Sequence, residues 1–211
     1  MSNLATVLEH VDSEESIKLH QLAVEISNKK WGKGHKQTLH YLNGVGNASA
    51  GLGDYNTALQ SFRDIIEARV GLHAEHPDDI ENTRMLGGAY CNLGNVHLSL
   101  RQHAEAVEIY TNAITVLEEL VRRDSQMVTR QFLSYSYGNR ASARRYLNQF
   151  EQSLEDVTQA LNVADTNRRK AYLQLTRAKI VAGQGGKIAA TVKSAQDVYD
   201  EFHNDGELAY E

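Results

Sequence analysis

Large and small apolar residues recur along this chain in a fixed order, with polar residues between them. Leu42, Gly46 and Leu52 precede Tyr55, Ala58, Phe62 and Ile65. Tyr90, Leu93, Gly94 and Leu100 precede His103, Ala106, Tyr110 and Ala113. A third copy runs Tyr137, Ala141 and Leu147, then Phe150, Ser153, Val157 and Ala160. A looser fourth runs Tyr172, Leu175, Thr176 and Ala182, then Ile188, Val192 and Ala195. Steps of three and four residues place such positions on one face of a helix. Each copy therefore predicts two helices joined by a short turn. Antiparallel helices approach closely only where side chains are small, so Gly46 is expected to face Ala58 and Gly94 to face Ala106. One helical pair cannot bury its own apolar face, and about three stacked units are needed for stability.

This pattern resembles the tetratricopeptide repeat, a helix–turn–helix unit of about 34 residues. The resemblance covers roughly Thr38 to Phe202. It implies an all-α fold, a right-handed superhelix (α-solenoid) of helix–turn–helix repeats. Gly46 and Gly94 lie 48 residues apart, and Gly94 and Ala141 lie 47 apart. The surplus falls in Glu67–Arg84 and Leu117–Gln131, where Val70, Leu72, Leu120 and Val121 predict second helices running on by about two turns. His76-Pro77-Asp78-Asp79 marks a break, because proline removes a donor and disfavours helix before it. In unit length alone, such repeats are similar to those of bacterial arrays and of kinesin light chain.

The expected organisation is a single helical domain over 1–203 followed by an acidic tail at 204–211. It comprises a truncated unit at 1–28 and units at about 38–77, 79–125, 130–166 and 168–203. Glu14 to Ser27 reads as a second helix, preceded by a short first helix at Asn3–His10. Asn28 to Gln37 is the expected open loop, and Ile188 to Phe202 the last helix.

Composition narrows the class. One proline in 211 residues suits an all-helical chain, and a single cysteine, Cys91, forbids an internal disulfide, as in a reducing compartment. No leader-like N-terminus or membrane-length apolar run is present. A cytoplasmic protein with no membrane association is the expectation. Charge is uneven: Arg122 to Lys187 holds 12 Lys and Arg against 5 Asp and Glu, although the whole chain carries −5. Solvated outer faces account for this, and a basic trough for an acidic ligand or for nucleic acid is the sharper alternative.

Catalytic patterns fail. Gly183-Gln184-Gly185-Gly186-Lys187-Ile188 lacks the spacing and the hydroxyl residue of a phosphate loop, and helix precedes it. His73 with His76, and His35 with His40, lack the further ligands of a zinc signature. Cys91 has no hydrolase motif around it. His20 and His103 occupy slots for core aromatics. The chain reads as non-enzymatic, with no cofactor and no metal.

In the architecture that the resemblance implies, first helices line the concave face. The residues expected there are His40, Asn43, Asn47, Asn92 and Asn95, then Tyr135, Asn139, Ser142, Arg145 and Tyr146, then Lys170, Gln174 and Arg177. A carboxamide offers donor and acceptor together and so matches a peptide backbone whatever its side chains. Such asparagine ladders resemble those with which some tetratricopeptide proteins hold peptides. A second resemblance, to the five-residue carboxylate clamp of tetratricopeptide co-chaperones, is partial. Asn95, Asn139 and Lys170 match it, but Cys91 and Gln174 replace a lysine and an arginine, so no chaperone clamp is assigned. The leading expectation is an interaction module binding a peptide or protein tail, with an acidic segment as one option. The alternative is a structural or regulatory subunit that self-associates through its end or convex faces, Leu4, Val7 and Ile17 included. Nucleic-acid binding through Arg122–Lys187 ranks below both.

Overall fold

A computed structural model describes residues 13–184. Eight α-helices and no strand occur among the described residues. The chain gathers into two compact units, one ending at Leu100 and the other beginning at Arg101.

The first unit holds α1 (Ser13–Trp31), α2 (Lys36–Gly51), α3 (Tyr55–Glu75) and α4 (Ile80–Ser99). Neighbours in sequence pack on one another, and α2 also touches α4. The expected loop at Asn28–Gln37 is shorter than the sequence suggested. Helix α1 continues through Trp31, and α2 begins at Lys36. The Nδ1 of His35 caps α2 by accepting from the Gln37 N–H at 3.2 Å, which lets the helix start early. Gly32, at φ +94°, supplies the left-handed turn that ends α1. Asp54 and Asp79 cap α3 and α4 by accepting from the N–H groups of Thr57 and Asn82.

Glycines on α2 set its distance from both neighbours. A Cβ at Gly46 would lie 2.8 Å from the Phe62 ring, and one at Gly44 would lie 2.4 Å from the His20 ring. Gly46 therefore makes room for Phe62, one turn beyond the Ala58 that the spacing had paired with it. The long α3, 21 residues, reaches the start of α4 through a buried reciprocal pair. Arg69 Nη1 donates to Asn82 Oδ1 at 3.2 Å, and Asn82 Nδ2 donates to the Arg69 carbonyl at 3.0 Å.

The second unit holds α5 (His103–Arg123), α6 (Met127–Tyr146), α7 (Phe150–Val163) and α8 (Asn167–Gly183). Its small-residue contact falls where the spacing placed it. Ser153 Oγ donates to the Ala141 carbonyl at 2.6 Å, and both residues are fully buried. Helix α5 also has 21 residues, and its added turns carry Glu118, which accepts from the Tyr137 hydroxyl. Burial first, and that carboxylate second, push the Tyr137 phenol well above its ordinary range. Asp156, only 2% exposed, receives two bonds from Arg140 at 2.7 and 3.0 Å and one from Arg144 at 2.8 Å. Three arginine–carboxylate bonds thus fasten α6 to α7. The expected Asn3–His10 and Ile188–Phe202 helices and the acidic tail lie outside the described residues.

Candidate functional site

The expected binding residues divide between the two units. On the first unit, helical phase brings Asn43 and Asn47 of α2 to the side that meets α4. Asn92 Nδ2 donates to Asn43 Oδ1 at 3.0 Å, so these two amides join the helices to each other. Asn47 and Asn95 are exposed. With Asn92, Phe62, Val96 and Ser99 they line a hollow of about 150 Å³ whose floor is apolar and whose rim is carboxamide. His40 is exposed earlier on α2, its ring edge-on to Tyr41 at 5.7 Å.

On the second unit the expected residues of α6 are mostly engaged by the unit itself. Asn139 Nδ2 donates to the Tyr110 hydroxyl at 3.3 Å, and Ser142 Oγ donates to the Gly138 carbonyl at 3.1 Å. Tyr146 stacks on His103 at 4.5 Å between centroids, while the Arg145 guanidinium lies 4.2 Å from the Tyr146 ring. Tyr135 is open to solvent and meets α8 through a residue the spacing did not single out. The Arg169 guanidinium sits 4.2 Å from the Tyr135 ring and 5.0 Å from the Tyr172 ring. Lys170 and Gln174 are half-buried and Arg177 is exposed. At about 100° per residue they lie roughly 140–160° round α8 from Tyr172, so the structure does not bring them together with Tyr135.

Sequence reasoning gave Tyr172 a place in the repeat pattern of the fourth copy, but not in the site, and did not single out Arg169. The readable signal lay on α6 instead. Ser134 and Gly138, four apart, leave a slot for a long side chain from α8. Arg169 fills it: Nη2 donates to the Ser134 carbonyl at 2.7 Å and Nε to the Ser134 hydroxyl at 3.3 Å.

The basic stretch is less available than its charge count implies. Arg140 and Arg144 are bound to Asp156, and Arg169 is buried. Among the described residues no group of three or more His, Cys, Asp or Glu is arranged to hold a metal ion. No described helix is long and apolar enough to cross a membrane.

Comparison with known proteins agrees with this geometry. The tetratricopeptide-repeat family model matches residues 87–125, which span the later part of α4 and all of α5. No curated protein sequence matches the chain. Two solved structures of nearly identical TPR-like repeats, from a Podosopora anserina protein assigned to the kinesin light chains, share its fold. One, of a substituted form, has a TM-score of 0.74 at 14% identity and covers 95% of this chain and 92% of that one. The other has a TM-score of 0.67, also at 14% identity, and covers 98% and 93%. At that identity the likeness is one of fold. With helical pairs closed at small residues, this chain has an all-α helical-repeat fold similar to that of tetratricopeptide-repeat proteins, and its residues 87–125 match one such repeat by sequence.

Proposed function

We propose that the chain is a non-enzymatic protein-interaction module that holds an extended peptide on the α2–α4 face of its first unit. The observation that carries this reading is the exposed pair Asn47 and Asn95 above an apolar hollow. A peptide backbone needs paired donors and acceptors, which the two amides offer, and Phe62 and Val96 give one of its side chains a floor. The partner is a protein segment, recognised in part through its main chain. The cytoplasm is the compartment proposed for it, on the strength of the lone buried thiol Cys91.

Affinity capture with the full chain tests this, comparing the parent with an Asn47→Ala, Asn95→Ala variant. Loss of the captured segment in the variant, with helicity and melting unchanged, is the expected result. Equal capture by both proteins removes the face from consideration.

Self-association is the second reading, and it has an observation of its own. Leu22 and Ile26, one turn apart on α1, are each more than half exposed. Sedimentation of the parent beside Leu22→Lys, Ile26→Glu decides it: an assembly that dissociates on substitution favours this reading, and a monomeric parent ends it.

A further inference from the structure

Three arginines are buried among the described residues, Arg69, Arg84 and Arg169. The first two sit beside carboxylates. Arg84 Nη1 donates to Glu81 at 2.8 Å. Arg69 bonds Asn82, with Glu81 and Asp79 near enough to favour its charge. Arg140 and Arg144 share Asp156. Arg169 is unlike all of these. Its bonds to described residues go to the hydroxyl and carbonyl of Ser134, and its other close neighbours are the two tyrosine rings. A guanidinium has five N–H donors in a planar fork, and Ser134 occupies two. This cation is 8% exposed and has no described carboxylate beside it.

The surroundings are shaped for a counter-ion. Tyr135 and Tyr172 are 47% and 46% exposed, so each flanks Arg169 while keeping a surface in solvent. Gly138 is required beneath the cation, since a Cβ there would lie 2.4 Å from Arg169 Nη2. A flat, forked donor between aromatic rings matches a planar, singly charged acceptor, and a carboxylate is that group. One guanidinium suits it better than a tetrahedral dianion, which calls for several cations.

We propose that the Tyr135–Arg169–Tyr172 cradle on the second unit takes the carboxylate of an acidic residue in a bound peptide. The proposal rests on the interaction reading above but uses different residues, on the other unit.

The test uses the full chain and two peptides, Ac-Ala-Leu-Glu-Glu-Leu-Ala-NH2 and its Gln-Gln counterpart, followed by the tyrosine ring resonances. The Glu peptide should produce saturable shifts at Tyr135 and Tyr172, and the Gln peptide should bind at least about tenfold more weakly. Arg169→Gln should give the same loss with the Glu peptide. Gly138→Ala, which crowds the guanidinium without removing it, should weaken binding as well. If Arg169→Gln does not fold, Tyr135→Ala with Tyr172→Ala alters only exposed rings, and the loss of Glu-peptide affinity is then read calorimetrically. Equal affinity for the two peptides overturns the proposal. So does undiminished binding to folded Arg169→Gln, or a response to inorganic phosphate but none to the Glu peptide. Asn47→Ala with Asn95→Ala should leave the tyrosine shifts intact. If that variant loses the host partner while Glu and Gln peptides bind the parent alike, the interaction reading stands and the carboxylate cradle falls.

Discussion

The two units bury polar side chains by different chemistry, and their open faces differ accordingly. In the first, amides bridge the helices: Asn43 meets Asn92 across α2 and α4, and Asn82 clasps Arg69. In the second, guanidinium groups take that role, with Arg140 and Arg144 on Asp156 and Arg169 on Ser134. Amides are satisfied in pairs and carry no charge, so the first face stays neutral and suits a main chain. Arginines favour a counter-ion: Asp156 serves Arg140 and Arg144, and Arg169, with no described carboxylate beside it, is the group proposed above to take a ligand's carboxylate.

Substitutions can break this contrast from either side. The largest effect belongs to Gly46→Leu, which forces a side chain into the Phe62 ring. Overpacking ordinarily costs about 1–3 kcal/mol, and contact at the Cβ itself goes beyond that. Chemical denaturation should show the first unit unfolded or strongly weakened. Asp156→Ala comes next. It strands two guanidinium groups on α6, and breaking a buried pair typically costs about 3–5 kcal/mol. These side chains are 12% and 19% exposed, so water recovers part of the loss and the low end is expected. The change should be read from the unfolding midpoint of the second unit.

A smaller effect has the opposite sign. Helices α3 and α7 start in the same way, Asp54 at φ −77° and Gln149 at φ −86°. Only the aspartate caps its helix with a side-chain bond; the glutamine makes none. Gln149→Asp should therefore stabilise the second unit by about 1 kcal/mol, seen as a raised melting temperature. The smallest effect is one of pH. Burial, and after it the charge of nearby His40, hold the His20 imidazole below its ordinary value. A histidine with a depressed folded pKa binds fewer protons folded than unfolded, so stability rises with pH through that interval. The contribution of His20 is complete above its unfolded value of about 6.5 and declines as pH falls below it. Denaturation at pH 7.5 and 5.5 should show the decline in the parent and a smaller one in His20→Phe.

Much of the fold was legible because small residues at close contacts have few alternatives. Ala141 and Ser153 touch as their spacing required, and the α3–α4 break falls at His76–Asp79. The faces were legible only in part. Spacing assigns a residue to a side of a helix but not to a partner, so Asn43 and Asn139 looked open when both are bonded within their units. Arg169 was hidden for a related reason. Its place depends on a gap between Ser134 and Gly138 on another helix, and the fourth copy carried too little pattern to fix the rotation of α8. The early start of α2 escaped notice because histidine is not an obvious cap.

The most direct test of the claim that the first face binds a main chain is the affinity of the captured host segment for the parent and for Asn47→Ala, Asn95→Ala, at low and high salt. Two neutral bonds at about 0.5–1.5 kcal/mol each predict a loss of roughly 1–3 kcal/mol. That is a factor of about 5 to 150 in affinity, unchanged by salt because no charge is removed. Identical affinities for the two proteins, or a difference that vanishes in high salt, would contradict it.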